Sequence, residues 1–189
     1  MKILPIRTKS KNYNIYIGQN IISKINKIVI NENIKFKKTL IVVDKKIPKN
    51  FLKKILSKIV CDKKIIFLFN ASEKNKNLKS ANAILELLLK NNFTRNDIVI
   101  CLGGGITGDV TGFVASIYKR GLKFINIPST LLSQVDSSIG GKTGVNNKYG
   151  KNLIGSFYQP DLVISDITLL KSLPRREIIC GYAEILKHS

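Results

Sequence analysis

A glycine-rich turn near the middle of the chain has the spacing of a nucleotide-binding loop. Gly103, Gly105 and Gly108 match the pattern G-x-G-x-x-G, after an apolar run at 98–102 and before a segment with helical periodicity. Glycines let the backbone approach a pyrophosphate closely, and the N-terminus of the next helix offers free N–H groups with a partial positive charge. The spacing therefore predicts a site for a dinucleotide pyrophosphate. A tight strand-to-helix turn without a ligand is the alternative.

The strand after this turn lacks the acidic residue of the common dinucleotide fingerprint. It ends at Ile127-Pro128, where an Asp or Glu would bind the ribose. These residues argue against a standard Rossmann dehydrogenase, so a ribose contact must come from elsewhere. Asp109, at the start of the predicted helix, is a candidate cofactor contact, or simply an acid that stabilises the helix dipole.

A second set of polar residues lies between or beside apolar runs. Its members are Arg120, Asp136, Lys142, Lys151, Asn152, Glu184 and Lys187. Lysines, an arginine and an amide beside a glycine turn are the groups that a small phosphorylated, hydroxylated substrate requires. Glu184 and Lys187 share one face of a predicted helix, which is also the spacing of an ordinary ion pair.

Short apolar strands alternate with helices through most of the chain. This alternation predicts an α/β fold, a Rossmann-like parallel sheet with flanking helices. The predicted strands are 2–6, 14–17, 39–43, 65–69, 98–102, 123–127 and 162–165, of which the first two should pair antiparallel. The predicted helices are 21–29, 51–59, 78–90, 109–118, 131–135 and 174–187. Residues 129–152, rich in Ser, Gly, Asn and Lys, are interpreted as a functional loop region.

Composition excludes several classes of protein. The net charge is +20, but the lysines are spread through the first ninety residues and aromatic residues make up only 7%, which disfavours a specific nucleic-acid binder. Cys61, Cys101 and Cys180 lack metal-type or redox-type spacing and are predicted to be reduced, buried thiols. The chain shows no signal-peptide segment and no run of about 20 apolar residues, so we expect a cytoplasmic protein without a membrane partner.

Several segments together resemble the 3-dehydroquinate synthases. They are 103–109, 118–121, 128–146, 150–152, 157–160, 173–177 and 181–187, and the string from 128 to 145 is the most specific. The resemblance implies a lyase that uses NAD and a divalent metal, zinc or cobalt. Such a lyase converts 3-deoxy-D-arabino-heptulosonate 7-phosphate to 3-dehydroquinate and phosphate in the shikimate pathway of aromatic amino acid biosynthesis. Family members are typically cytoplasmic homodimers.

The resemblance also implies a role for individual residues. Glu184 would be a metal ligand and Lys187 a substrate contact. The substrate and phosphate pocket would be lined by Arg120, Asp136, Lys142 and Asn152. The cofactor would be held by Gly104, Gly105 and Asp109 at its pyrophosphate, by Asp44, Glu73 and Lys76 at its adenosine end, and elsewhere by Ser129, Thr130, Lys142, Lys151, Leu169 and Ser172.

The same resemblance divides the chain into an NAD-binding α/β domain, 1–173, and the start of a helical metal and substrate domain, 174–189. In the family that second domain supplies two histidines to the metal. The single histidine here, His188, matches neither position, although it lies four residues from Glu184. A catalytic zinc needs three protein ligands. We therefore expect a fragment or truncated form that has little synthase activity alone. The alternatives are a related sugar-phosphate cyclase, a glycerol dehydrogenase-like enzyme, or a non-catalytic nucleotide-binding remnant.

Overall fold

The computed structural model describes residues 1–188, with the side chain of His188 outside the description. Its strands are β1 (Lys2–Ile6), β2 (Tyr13–Gly18), β3 (Lys38–Asp44), β4 (Lys63–Phe69), β5 (Ile98–Gly103), β6 (Lys123–Pro128), β7 (Lys142–Asn147), β8 (Gly150–Phe157) and β9 (Leu162–Asp166). Its α-helices are α1 (Ile25–Asn31), α2 (Lys49–Lys58), α3 (Leu78–Lys90), α4 (Gly105–Ile117) and α5 (Arg175–His188).

Within the described residues, seven strands form one sheet in the order β1-β2-β9-β6-β5-β3-β4. β1 pairs antiparallel with β2, and every other pairing in this sheet is parallel. β7 and β8 form a separate antiparallel hairpin. The predicted fold class and the predicted antiparallel pair are both confirmed.

Helices cover both faces of the sheet, which explains why its central strands are apolar throughout. On β5, Ile98 and Ile100 face the cluster beneath α1 and α2, whereas Val99 and Cys101 face the cluster beneath α3 and α4. This alternation follows from the two-residue period of a strand. The core therefore fixes β5, and with it the glycine turn at its carboxyl end.

α4 is the helix that carries the β7–β8 hairpin. A Cβ atom at Gly112 would lie 2.5 Å from Thr143 Cγ2, so the glycine is needed for this close approach. Its neighbours Val110 and Val114 are fully buried against the sheet. Because the hairpin rests on this helix, the residues of β7 are held above the glycine turn.

Two predictions about local structure need correction. The helix predicted from Asp109 begins at Gly105, so Asp109 lies in its second turn and is not an N-terminal acid. The region 129–152 was interpreted as a loop region with a short helix at 131–135. That helix is confirmed and continues as a π-helical turn at Ser133–Ser137, but the region also contains the whole of β7 and the start of β8. The hairpin was missed because its strands are rich in Gly and Asn, which disfavour strands.

The three cysteines are free thiols, as predicted. Cys101 is buried, but Cys61 is half-buried and Cys180 on α5 is exposed. The expectation of buried thiols is therefore wrong for Cys180. None of the helices in the described range is long and apolar enough to cross a membrane.

Candidate functional site

The site is built around the turn between β5 and α4. Gly104 precedes α4 in an extended conformation and has no side chain to cap the helix, so the first N–H groups of α4 face outward. A Cβ atom at Gly105 would lie 2.9 Å from Ser137 Oγ, and one at Gly104 would lie 3.1 Å from Thr130 Cγ2. The turn is thus open to a ligand at the helix N-terminus and closely packed against the segment that follows β6.

That segment begins at the end of β6 and is held by its own hydroxyl groups. Ser129 is buried, and its N–H donates to the carbonyl of Gly103 at 2.9 Å. Thr130 and Ser133 form reciprocal bonds, with the two hydroxyl oxygens 2.8 Å apart. These bonds start the helical turn that carries Asp136 toward the hairpin.

A cleft of about 620 Å³ lies between the π-helical turn, the second turn of α4 and the hairpin. Among its lining residues are Asp109, Asp136, Lys142 and Asn152. The structure therefore brings together, in one cleft, side chains that are far apart in the sequence. Lys142 is exposed, which leaves its ammonium group available to an anion.

Lys76 is a buried cation that bonds to two of the residues lining this cleft. Its side chain is only 6% exposed, and its Nζ lies 2.5 Å from Asp109 Oδ2 and 2.5 Å from Asn152 Oδ1. Burial raises the pKa of the Asp109 carboxyl above its usual range, while the hydrogen bond and the charge of Lys76 act to lower it. Lys76, which was predicted to contact the adenosine end of the cofactor, thus also links α4 to the hairpin.

The remaining predicted cofactor residues of this region lie at the carboxyl edge of the parallel strands, where α/β folds bind nucleotides. Asp44 ends β3, next to β5, and burial raises the pKa of its carboxyl. Glu73 follows β4; its carboxylate accepts from Asn146 Nδ2 at 2.8 Å and lies 3.9 Å from Lys151 Nζ. These side chains are half-buried or exposed and face the same edge as the glycine turn.

α5 brings the last predicted residues to the cleft. Gly181 of α5 packs against the residues that lead into the π-helical turn, since a Cβ atom at Gly181 would lie 2.6 Å from Leu131 Cβ. Lys187 Nζ donates to Glu184 Oε1 at 2.8 Å. This hydrogen bond and the Glu184 charge raise the pKa of Lys187, and the charge of Asp136 adds to the effect.

The donor set for a metal is incomplete in this part of the protein. Among the described residues there is no group of three His, Cys, Asp or Glu side chains that would hold an ion. Glu184 alone does not meet the three-ligand requirement of a catalytic zinc. The side chain of His188, four residues after Glu184, lies outside the described part of the chain.

Arg120, Leu169 and Ser172 are among the predicted site residues that do not line the cleft. Arg120 lies on an exposed turn at the far end of α4, about 20 Å of helix away from the glycine turn, with φ 64°. Leu169 is buried in the 3-10 segment after β9, where its carbonyl accepts from the Ser172 hydroxyl at 2.9 Å. Their roles stay predictions.

The sequence analysis missed two asparagines in this region. Asn146, at the end of β7, bonds both to Glu73 and to Asn152. Asn126 is buried on β6 opposite Gly108, and its Oδ1 has no hydrogen-bond partner within the part of the chain that the structure describes. The second was detectable, because Asn126 interrupts an otherwise apolar strand.

The residues present fit a pyrophosphate group. The glycine turn leaves room for a backbone approach, and the N-terminus of α4 supplies donors and partial positive charge. The hydroxyl of Ser137, next to Gly105, is a buried polar group that has no hydrogen-bond partner among the described residues. Such groups are normally satisfied by a ligand or water.

Two solved structures that share this fold are synthases with NAD+ bound. 2-Deoxy-scyllo-inosose synthase, complexed with carbaglucose-6-phosphate, NAD+ and Co2+, superposes with a TM-score of 0.89 at 25% identity over 98% of this chain and 50% of that one. ValA is the 2-epi-5-epi-valiolone synthase from Streptomyces hygroscopicus subsp. jinggangensis 5008, with NAD+ and Zn2+ bound. It superposes with a TM-score of 0.82 at 25% identity, over 96% of this chain and 50% of that one.

Sequence similarity identifies the family to which the chain belongs. The family model described as 3-dehydroquinate synthase N-terminal matches residues 66–180, and the chain belongs to the 3-dehydroquinate synthase family. It is 63% identical to the 3-dehydroquinate synthase of Pelagibacter ubique (strain HTCC1062) over 98% of its length, and 49% identical to that of Campylobacter concisus (strain 13826) over 97%. The chain spans about half the length of these curated relatives, 50% of each.

Proposed function

We propose that the chain is the cofactor-binding half of a 3-dehydroquinate synthase. The observation that carries the proposal is the cleft where Asp109, Asp136, Lys142 and Asn152 meet beside an open glycine turn. The complete catalytic unit converts 3-deoxy-D-arabino-heptulosonate 7-phosphate to 3-dehydroquinate and phosphate. The described residues alone have little of this activity, because they lack a complete metal site.

The cofactor in this proposal is NAD. Gly104 and Gly105 present the N–H groups of α4 to its pyrophosphate, and Asp44 reaches the ribose from the end of the neighbouring strand. Bound NAD would supply hydride chemistry, in which one ring hydroxyl of the substrate is oxidised to a ketone with formation of NADH, and that ketone is later reduced again by the same NADH. The chain holds the cofactor in place through Thr130 and Asp109, which flank the turn.

The substrate binds in the cleft through groups that recognise phosphate and hydroxyls. Lys142 supplies a mobile positive charge and Asn152 an amide, a pairing suited to a phosphorylated sugar acid. Lys187 on α5 is proposed as a further substrate contact, with an exposed side chain that supplies a second positive charge. The two lysines are therefore the groups proposed to bind the negative charge of the substrate.

Glu184 is proposed as one ligand of a divalent metal, zinc or cobalt, whose other ligands lie outside the described residues. We also propose the domain division 1–173 and 174–189, and a homodimer for the complete protein. α5 supports this division, because Ile179, Tyr182 and Leu186 on it are 57%, 59% and 67% exposed. An apolar surface of this kind normally packs against another part of a protein.

The first test is calorimetric titration of NAD+ into the chain. Gly105→Ala should abolish binding, because its Cβ atom would enter the space between the turn and Ser137. Gly108→Ala is the matched control on the same helix, since its Cβ atom would lie at an ordinary 3.6 Å from Asn126. Equal NAD+ affinity for the two variants would contradict the cofactor site.

The second test restores the missing half. The chain is mixed with the C-terminal half of the Pelagibacter ubique relative, and phosphate release from the substrate is measured with zinc or cobalt added. We expect release only when both polypeptides and NAD+ are present. NAD+ binding without phosphate release from the mixture would instead favour a non-catalytic remnant.

A further inference from the structure

Asn146 lies where the proposed cofactor and substrate residues meet. Its Nδ2 donates to the Glu73 carboxylate at 2.8 Å, and its Oδ1 accepts the backbone N–H of Asn152 at 2.9 Å. Its own backbone N–H donates to the carbonyl of Lys76 at 2.7 Å. Each of these partners is a proposed site residue, whereas Asn146 itself has been assigned no role.

Asn152 depends on this arrangement for its conformation. Its φ is 57°, a left-handed value that costs free energy for a residue with a side chain and persists only where the surroundings hold it. The surroundings are Asn146, which accepts its N–H, and Lys76, which donates to its Oδ1. The backbone and the side chain of Asn152 are therefore both held, by two residues that are hydrogen-bonded to each other.

The carboxamide of Asn146 acts both as a hydrogen-bond donor and as an acceptor. It donates toward Glu73, at the proposed adenosine end, and accepts from Asn152, in the cleft. A carboxylate at this position would keep the second bond and place two negative charges together at the first. An amide is thus the group that satisfies both partners.

We infer that Asn146 is a positioning residue that couples NAD+ binding at Glu73 and Lys76 to the conformation of Asn152 in the cleft. The inference rests on the proposed function, since it takes Glu73 and Lys76 as cofactor residues. Binding that orders Glu73 and Lys76 also fixes Asn146, and Asn146 then fixes the backbone of Asn152. Because coupling between two sites is reciprocal, a ligand on Asn152 strengthens NAD+ binding by the same factor.

The test is an NMR titration of the full chain with NAD+, followed at the backbone amide of Asn152. In the unmodified chain this resonance should shift on saturation. Asn146→Ala should bind NAD+ about tenfold more weakly, within the usual range of coupling factors, and the Asn152 shift at saturation should become much smaller, because only the direct bond from Lys76 to Asn152 remains. Asn82→Ala removes a similar exposed amide-to-carboxylate bond, to Glu86 at 2.7 Å, and should leave both readouts unchanged.

Asn146→Asp separates the two bonds. It keeps the acceptor for the Asn152 N–H and repels Glu73, so NAD+ affinity should fall while the resonance of the free chain stays near its original position. A residue with a merely structural role would move both readouts together. An Asn152 shift of unchanged size in Asn146→Ala at NAD+ saturation overturns the inference. Failure of the unmodified chain to bind NAD+ overturns the proposed function, and the inference with it.

Discussion

The ammonium nitrogen of Lys76 and the carboxylate of Asp109 are 2.5 Å apart in a setting where the lysine side chain is only 6% exposed. The two residues come from different elements, the turn after β4 and the second turn of α4. Their contact fixes the distance between the cofactor edge and the cleft. Charges held in this way are costly to separate, because the remaining partner is left without compensation.

We expect Lys76→Met to destabilise the chain by about 3 kcal/mol, since it leaves the carboxylate of Asp109 unpaired by lysine in a largely buried position. Urea unfolding measures this loss. Lys151→Met is the control: its exposed ammonium lies 3.9 Å from Glu73, and its loss should cost under about 1 kcal/mol. Equal losses of unfolding free energy for the two variants would show that the buried ion pair stabilises the chain no more than the exposed one does.

The hairpin should tolerate substitution at one glycine and not at another. A Cβ atom at Gly155 would lie 2.2 Å from the carbonyl oxygen of Thr143, so Gly155→Ala must separate β7 from β8 and should cost about 2 kcal/mol or more. At Gly150 the nearest atom is the flexible end of Leu153, at 3.1 Å, and Gly150→Ala should cost little. Thermal unfolding of both variants checks the difference. A Gly155→Ala chain as stable as the unmodified one would mean that the strands part without strain.

Alkaline pH should destabilise the fold through Tyr16. Burial, and the hydrogen bond that its hydroxyl donates to Glu32 at 2.5 Å, raise the pKa of Tyr16 from 10.0 to about 12. The unfolded chain therefore loses this proton first as the pH rises. The stabilisation is complete below pH 10 and is lost as the pH passes through about 12.

Tyr16→Phe tests this assignment. It should lower the free energy of unfolding at pH 8 by about 1.5–3 kcal/mol, the range for a hydrogen bond to a charged group, and should make stability fall less steeply between pH 10 and 12. Tyr149→Phe, at a side chain that is 78% exposed, is the control. A pH dependence that is unchanged in Tyr16→Phe would assign the alkaline transition to other groups.

The thiols should react in order of exposure. Cys180 is exposed, whereas Cys101 is fully buried and its pKa is raised by that burial. A disulfide reagent should therefore label Cys180 in the native chain within minutes and Cys101 only after unfolding. Mass spectrometry of the labelled peptides gives the order. Labelling of Cys101 at the rate of Cys180 would mean that the sheet opens readily around β5.

The elements that bury apolar faces were predictable from the sequence. The helix 78–90 was predicted with the bounds that α3 has, because Ala81, Ile84 and Leu88 form a regular buried stripe. The strand 98–102 was recognisable as an apolar run between polar segments, and β5 adds only Gly103 to it. Burial on one or both faces leaves a periodic signal that a single sequence displays.

The elements that hold the site left a weaker signal. β7 and β8 face each other through Gly144 and Gly155, so their contact depends on missing side chains and not on apolar ones. A turn signal was nonetheless present at 147–150, where Asn147 Oδ1 accepts the N–H groups of Tyr149 and Gly150. The pairing of Lys76 with Asp109 was not predictable, because it depends on how the turn after β4 and α4 approach each other in three dimensions.

The position of β9 between β2 and β6 governs the order in which the sheet can be assembled on the ribosome. Val163 pairs with Ile15 on one side and with Asn126 on the other. The N-terminal hairpin is synthesised first, yet it has no sheet to join until nearly all of the described chain has emerged. Until then the hairpin is an isolated two-stranded ribbon, a structure that is only marginally stable in water. β1 and β2 should therefore dock last and be the segment of the nascent chain that proteases reach most easily.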